Sequence, residues 1–228
     1  MKIFRVLTLL ALTCCFWAGC LFAQGMTVAY QVVIQPGSNL IANQLIYKEN
    51  KLSQIMPEAP AGTLVYKWDV ATQQFLPPSQ YSPISGWSIE YIFELGEGFL
   101  VYSPATFTNM FIGQMWAGFD PDTGSFMPPI VLGPGIVLRS CVVPIENPEF
   151  SDIIGRAPMQ SEWIKWIDPA TQTFYISVFT GGAWSAGFPT LLPGQAAFFG
   201  LIPEPTVAGF ASLAFLITLI RKKAATKN

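Results

Sequence analysis

Tyr66-Lys67-Trp68-Asp69-Val70-Ala71-Thr72-Gln73-Gln74-Phe75 has a near copy in Ile164-Lys165-Trp166-Ile167-Asp168-Pro169-Ala170-Thr171-Gln172-Thr173-Phe174, with one residue inserted. The likeness extends outward on both sides. Upstream, at an offset of 98, Leu52-Ser53-Gln54-Ile55-Met56 lies over Phe150-Ser151-Asp152-Ile153-Ile154, and Ala59-Pro60 over Ala157-Pro158. Asn39-Leu40-Ile41 lies near Ile136-Val137-Leu138. Downstream, Gly86-Trp87-Ser88 answers Ala183-Trp184-Ser185, and Leu95-Gly96-Glu97-Gly98-Phe99-Leu100 answers Pro193-Gly194-Gln195-Ala196-Ala197-Phe198. A register held over such a distance marks an internal repeat, a unit of about 70 residues present twice. On this alignment Trp68 and Trp166 fill one core position in each unit, and Trp87 and Trp184 another.

A smaller signature recurs three times: Asp, Thr three residues on, Phe six residues on. It is seen at Asp69/Thr72/Phe75, Asp120/Thr123/Phe126 and Asp168/Thr171/Phe174. Asp at the first position of a turn accepts backbone N–H groups, and the following Pro121 or Pro169 presets φ for a type I turn. The signature predicts three β-hairpins, each with an aromatic leaving the turn. A calcium loop needs more oxygen ligands than Asp120-Pro121-Asp122 offers, and the other two copies lack the second Asp. A structural turn is therefore expected, and no metal site. Apolar, β-branched and aromatic runs bounded by Gly and Pro predict strands over 27–34, 40–47, 64–68, 99–102, 107–112, 136–143, 163–166, 174–179 and 196–200. Short helical turns fit 51–56 and 148–154, the second with Asn147 as N-cap and Pro148 as first helical residue. The expected fold class is all-β: two tandem related β-modules, 24–118 and 119–201, between a signal helix and a C-terminal hydrophobic helix. The repeat resembles the small β-modules of bacterial surface proteins, a resemblance that implies no activity.

Lys2 and Arg5 precede an apolar stretch over 6–18, and Leu21-Phe22-Ala23 offers small-residue cleavage after Ala23. Residues 1–23 thus read as a secretory signal peptide. Ala18-Gly19-Cys20 supplies the last three positions of a lipobox, which would make Cys20 a lipidated N-terminus. Trp17, however, stands where lipoprotein signals carry an aliphatic residue.

The chain ends on Pro203-Glu204-Pro205, an uncharged run over 207–220, and the basic stop Arg221-Lys222-Lys223. A helix over 207–220 reaches roughly 21 Å at 1.5 Å per residue, short of the roughly 30 Å hydrocarbon core. That is a marginal anchor, with the basic residues on the cytoplasmic side and the preceding chain outside. Pro203 and Pro205 keep the segment before it extended. This order resembles the PEP-CTERM sorting tail of Gram-negative bacteria. The resemblance covers 202–228 and implies recognition and processing by an exosortase alongside exopolysaccharide export. The expected course is membrane anchoring through the C-terminal helix, then release to the cell surface or extracellular matrix. An ordinary C-terminal anchor gives the same topology.

Between the two ends lie six basic residues (Lys48, Lys51, Lys67, Arg139, Arg156, Lys165), whereas all fourteen acidic residues lie from Glu49 to Glu204. A nucleic-acid partner is disfavoured, because phosphate binding needs a basic surface. Three of the four cysteines fall in the signal; Cys141, in the run Cys141-Val142-Val143, is expected to be a buried, inert thiol. The chain has no histidine, which removes Ser-His-Asp and Cys-His catalysis.

Two kinds of chemistry are left. Exposed tryptophans stack on sugar rings. Trp116 and Trp163 lack repeat partners and are the candidate glycan contacts, with extracellular polysaccharide as the partner. Paired carboxylates serve glycosidases, and Glu94 and Glu97 are the nearest pair, with Leu191 or Leu192 and Gln195 in their places in the second unit. Gly96-Glu97-Gly98 is a tight turn before a strand; no helix or Lys-Ser/Thr follows as a phosphate loop requires. No catalytic residue, cofactor or enzyme activity is expected. The sequence supports first an exported surface or exopolysaccharide-matrix protein, second a carbohydrate-binding module, and third a glycan-acting enzyme through Glu94 and Glu97.

Overall fold

The computed structural model describes residues 27–116, 118–120, 125–126 and 132–203. The first half holds β1 (Thr27–Ile34), β2 (Gly37–Ala42), α1 (Leu52–Ile55), β3 (Leu64–Asp69), β4 (Gln74–Phe75), β5 (Ser79–Ser82), β6 (Gly86–Trp87), β7 (Gly98–Ser103) and β8 (Phe107–Gln114). After it come β9 (Phe119–Asp120), β10 (Ser125–Phe126), β11 (Gly135–Arg139), α2 (Phe150–Ile154), β12 (Trp163–Asp168), β13 (Thr173–Thr180), β14 (Ala183–Trp184) and β15 (Ala197–Leu201). The fold is all-β. One sheet runs β2-β7-β3-β5-β6, with β4 added to β3; a second runs β11-β15-β12-β13-β14. β1 and β8 make a separate ribbon, and β9 and β10 a hairpin. All paired strands are antiparallel.

The ribbon shows why the alternating runs became strands. Val32, Ile34, Asn109 and Phe111 turn inward, whereas Gln31, Val33, Met110 and Ile112 face out, the period of two that a half-buried strand requires. The hairpins follow the Asp signature. Asp69 Oδ1 accepts from Ala71 N at 3.0 Å and Oδ2 from Thr72 Oγ1 at 2.7 Å. Asp168 does the same with Ala170 N and Thr171 Oγ1, each at 2.9 Å. Gln73 and Gln172 then close their turns at φ +56°. In the third hairpin Phe126 pairs with Phe119; its turn lies outside the described residues, as do the signal segment, Glu204, Pro205 and Arg221 to Lys223.

Three expectations are corrected. The strands expected over 40–47 and 136–143 end at Ala42 and Arg139. Past Ala42, Asn43 donates from Nδ2 to Leu45 O at 2.7 Å and accepts from Leu45 N at 3.1 Å, so a side chain replaces the ladder and turns the chain. The second helix begins at Phe150 with Glu149 as N-cap, not at Pro148 with Asn147. Asp152 accepts from Glu149 N at 2.8 Å, while Asn147 adopts φ +54° and donates to Leu191 O. Trp68 and Trp166 do not occupy one position. Tyr66 faces Leu100, and Lys165 faces Phe198, the residue that answers Leu100 in the repeat. β12 is therefore displaced by one residue, and Ile167 takes the place of Trp68. A slip of one turns a side chain to the other face, which sends Trp166 to a different cluster from Trp68. Trp87 pairs with Tyr81, and Trp184 with Phe179.

Among the described residues there are three cores. One lies between the ribbon, α1 and the first sheet, around Phe93, Phe99 and Phe111. Another lies between α2 and the second sheet, around Phe150, Ile164 and Phe199. Leu40, Ala42, Leu138, Ile167 and Ala196 form the third, with Trp68, Leu100 and Phe198 against them, where the sheets meet.

Candidate functional site

The junction of the two sheets is built from reciprocal contacts. Gln73, at the tip of the β3–β4 turn, accepts from Ile136 N at 2.7 Å and donates to Ile136 O at 3.1 Å, at the start of β11. Gln172, at the tip of the β12–β13 turn, accepts from Ser38 N at 2.6 Å and donates to Ser38 O at 3.1 Å, at the start of β2. Before each gripped residue stands a left-handed glycine, Gly37 (φ +92°) and Gly135 (φ +119°). A Cβ on Gly37 would lie 2.4 Å from Gln172 Oε1, so the grip needs glycine there. The backbones also meet: Ile41 bridges Gln195 and Glu97 bridges Arg139. Ala196 N donates to Leu40 O, and Ser140 N to Gly96 O.

A cleft opens on each side of the central core. The first, about 210 Å³, is lined by Trp166, Asp168, Thr190 and Gln195 above Leu40 and Ile167. The second, about 190 Å³, is lined by Trp68, Glu94, Glu97 and Arg139 above Val137 and Leu138. Gln195 and Glu97 have the same local role. Gln195 accepts from Leu192 N at 2.9 Å and Glu97 from Glu94 N at 2.8 Å, each closing the turn before a strand. The first cleft carries one charged group, Asp168, whereas the second carries Glu94, Glu97 and Arg139. Glu97 accepts from Lys67 Nζ at 3.1 Å. Burial pushes its carboxyl above the ordinary value, against the pull of Lys67. Arg139 is 4% exposed and makes no ion pair among the described residues. Its Nη2 donates to Leu95 O at 3.1 Å, its Nε is enclosed with no acceptor, and burial pulls the guanidinium below its usual value. The second cleft thus sets an aromatic wall beside two carboxylates and the edge of a guanidinium whose own Nε is closed off from it. A third hollow, about 400 Å³, lies by α2 against Trp184, Phe150 and Phe188.

All six described tryptophans are half-buried, so Trp116 and Trp163 do not stand apart from the other four. Trp116 packs on the second core with its Nε1 enclosed and unmatched. Trp163 lies against Gly200, where a Cβ would come within 2.1 Å of the ring. Neither lines any of the three hollows; Trp166, Trp68 and Trp184 do. Of the carboxylate pair, Glu97 is fixed in its turn and Glu94 is exposed. Cys141 is buried, as expected, and burial raises its thiol pKa. Among the described residues no group of three His, Cys, Asp or Glu is placed to hold a metal, and no helix is long and apolar enough to cross a membrane. In the sequence, Gln73 and Gln172 read with Asp69 and Asp168 as amide and acidic neighbours of a candidate polysaccharide groove; their grip on the opposite sheet was not legible there beyond the repeated Thr-Gln after each Asp turn, and Arg139 carried no sign at all. The chain matches no family model, no curated protein and no solved structure.

Proposed function

We propose that this chain is a non-enzymatic, exported surface or exopolysaccharide-matrix protein, sorted by its PEP-CTERM-like tail through an exosortase-type enzyme. The observation that carries this reading is where the folded body stops. β15 ends at Leu201, deep in the second sheet, and Ile202 and Pro203 are already exposed. A processing enzyme would meet the Pro-Glu-Pro signature directly outside a finished fold. The body itself reads as two tandem modules, 24–118 and 119–201. The matching strand orders, the paired Asp turns and the reciprocal glutamines support that division. Replacing Pro203, Glu204 and Pro205 by Ala in the native host tests the sorting. The variant is expected to stay uncleaved in the membrane fraction; normal processing and release would overturn it.

A second reading, a carbohydrate-binding module for extracellular polysaccharide, is favoured by the two tryptophan-walled clefts. They combine an apolar wall with carboxylates in both, an amide in the first and a guanidinium in the second. The contacts then move from Trp116 and Trp163 to Trp166 and Trp68. Titrating the full chain in detergent with host exopolysaccharide, and following tryptophan fluorescence, checks it. A saturable shift lost in Trp166→Ala or Trp68→Ala supports the clefts. A shift lost only in Trp116→Ala or Trp163→Ala returns the site to those residues.

A further inference from the structure

Among the described residues the β1–β8 ribbon is left open at the outer edge of β1. Its two strands pair over eight consecutive positions, Thr27↔Gln114 to Ile34↔Phe107, without a bulge. Ile46 and Gln114 exchange both backbone bonds, each at 2.9 Å, so Gln114 points away from β1. In an antiparallel pair the bonding direction alternates residue by residue. Val28, Tyr30, Val32 and Ile34 therefore bond to β8, and Thr27, Ala29, Gln31 and Val33 aim their N–H and C=O groups outward. Among the described residues nothing meets those outward groups. All four residues are exposed.

An edge of this kind is normally blunted by charge, proline or a bulge. Here there is none: TVAYQVVI and FTNMFIGQ contain no Lys, Arg, Asp, Glu or Pro. The surrounding chain is also bare, without a charged residue over 27–47 or 98–119. The outward face is apolar, with Val33, Met110 and Ile112 respectively 55%, 49% and 42% exposed. Elsewhere the chain is acidic, so two copies repel one another except where charge is absent.

We propose that the outer edge of β1 pairs antiparallel with the same edge of a second copy of this chain. The edge is self-complementary about a two-fold axis at Tyr30. Thr27 then faces Val33 of the other copy, Ala29 faces Gln31, and each facing pair exchanges two backbone bonds. The product is a continuous sheet in the order β8-β1-β1-β8. It depends on neither sorting nor sugar binding: an unprocessed chain that ignores polysaccharide would still pair.

Sedimentation of the full chain in detergent, across a concentration series, tests this. The wild type is expected to sediment as a dimer of the chain. Gln31→Lys, which sets a charge against the partner edge, and Gln31→Pro, which removes an outward N–H without touching the β1–β8 ladder, are each expected to give the monomer with unchanged circular dichroism. Ile112→Lys, on the far strand, is expected to leave the dimer intact. A monomeric wild type overturns the proposal. So does a dimer that survives Gln31→Lys, or one that dissociates with Ile112→Lys alone.

Discussion

Gln73 holds Ile136 by both ends of its peptide face, accepting from the N–H at 2.7 Å and donating to the C=O at 3.1 Å. Ile136 is the second residue of β11, so one hairpin of the first sheet fixes where the second sheet begins. Gln172 does the same for Ser38 and β2. Each of the two bonds adds roughly 1 kcal/mol net. Gln73→Ala is expected to lower unfolding stability by about 2 kcal/mol, and Gln172→Ala by a similar amount, read as a drop in urea midpoint at constant slope. A midpoint within error of wild type in both would show that the sheets hold together without the grips.

Ile136 O receives a second donor, Trp68 Nε1 at 2.9 Å. Deleting either donor leaves the other in place. Trp68→Phe and Gln73→Ala should therefore be more costly together than in sum, with a coupling of about 1 kcal/mol. Additive losses in a double-mutant cycle would show that the two donors act independently.

Gly37 and Gly62 are both left-handed, at φ +92° and +84°, but only Gly37 is crowded. An alanine at Gly62 meets nothing within 4 Å, whereas at Gly37 it meets the Gln172 carboxamide at 2.4 Å. Both variants carry a backbone strain of about 1 kcal/mol. Gly37→Ala is expected to cost at least about 1 kcal/mol more, because it also breaks the grip on Ser38. Equal thermal shifts for the two would refute this.

Glu162 is fully enclosed and accepts from Arg156 Nη1 at 2.9 Å, Arg156 Nη2 at 2.5 Å, Met159 N at 2.8 Å and Ile202 N at 3.1 Å. Burial opposes its charge, but these bonds outweigh it and hold the carboxyl below its ordinary value. A depressed folded pKa contributes stability that is present above the unfolded value of about 4.3 and lost as pH falls through the folded value. Asp69 and Asp168, lowered by the Thr72 and Thr171 hydroxyls, act in the same direction. Glu97, raised by burial, acts the other way and gains as pH falls through its folded value, so the thermal midpoint should rise slightly on mild acidification and fall once pH drops below the unfolded value of about 4.3. Glu162→Gln should lose about 3 kcal/mol at neutral pH and show a flatter acid slope. A variant with the wild-type acid slope would assign the acid sensitivity elsewhere.

The sequence carried most of the sheet and little of the junction. β1 was legible to the residue, because one face of the ribbon is buried and period two is strict there. The hairpins were legible because Asp, Thr and a following left-handed residue act within a few positions. The end of β2 at Ala42 was not, since Asn43 replaces the ladder with its own side chain, and Asn in an apolar run gives no sign of that choice. Lys-Trp in both copies was misleading. Two identical pairs matched by letter are offset by one in space, and the true partner of Trp68 is Ile167. The clefts were invisible because they arise between segments far apart in the chain. Arg139 sits in a strand whose neighbours are apolar, and its enclosure comes from the loop carrying Glu94 and Glu97.

β15 is flanked on both sides, by β11 and by β12, and the chain beyond Pro203 is continuous with it. A pull on that chain runs along the strand axis, across ladder bonds that lie perpendicular to it. The bonds on both flanks share the load at once, and none is peeled singly. At the point of exit, Ile202 N is tied to the buried Glu162, itself clamped by Arg156. Under the proposed sorting by the C-terminal tail, a load on that tail would enter the body through a strand bonded on both flanks, the attachment a protein needs if it is to be held against flow by its end.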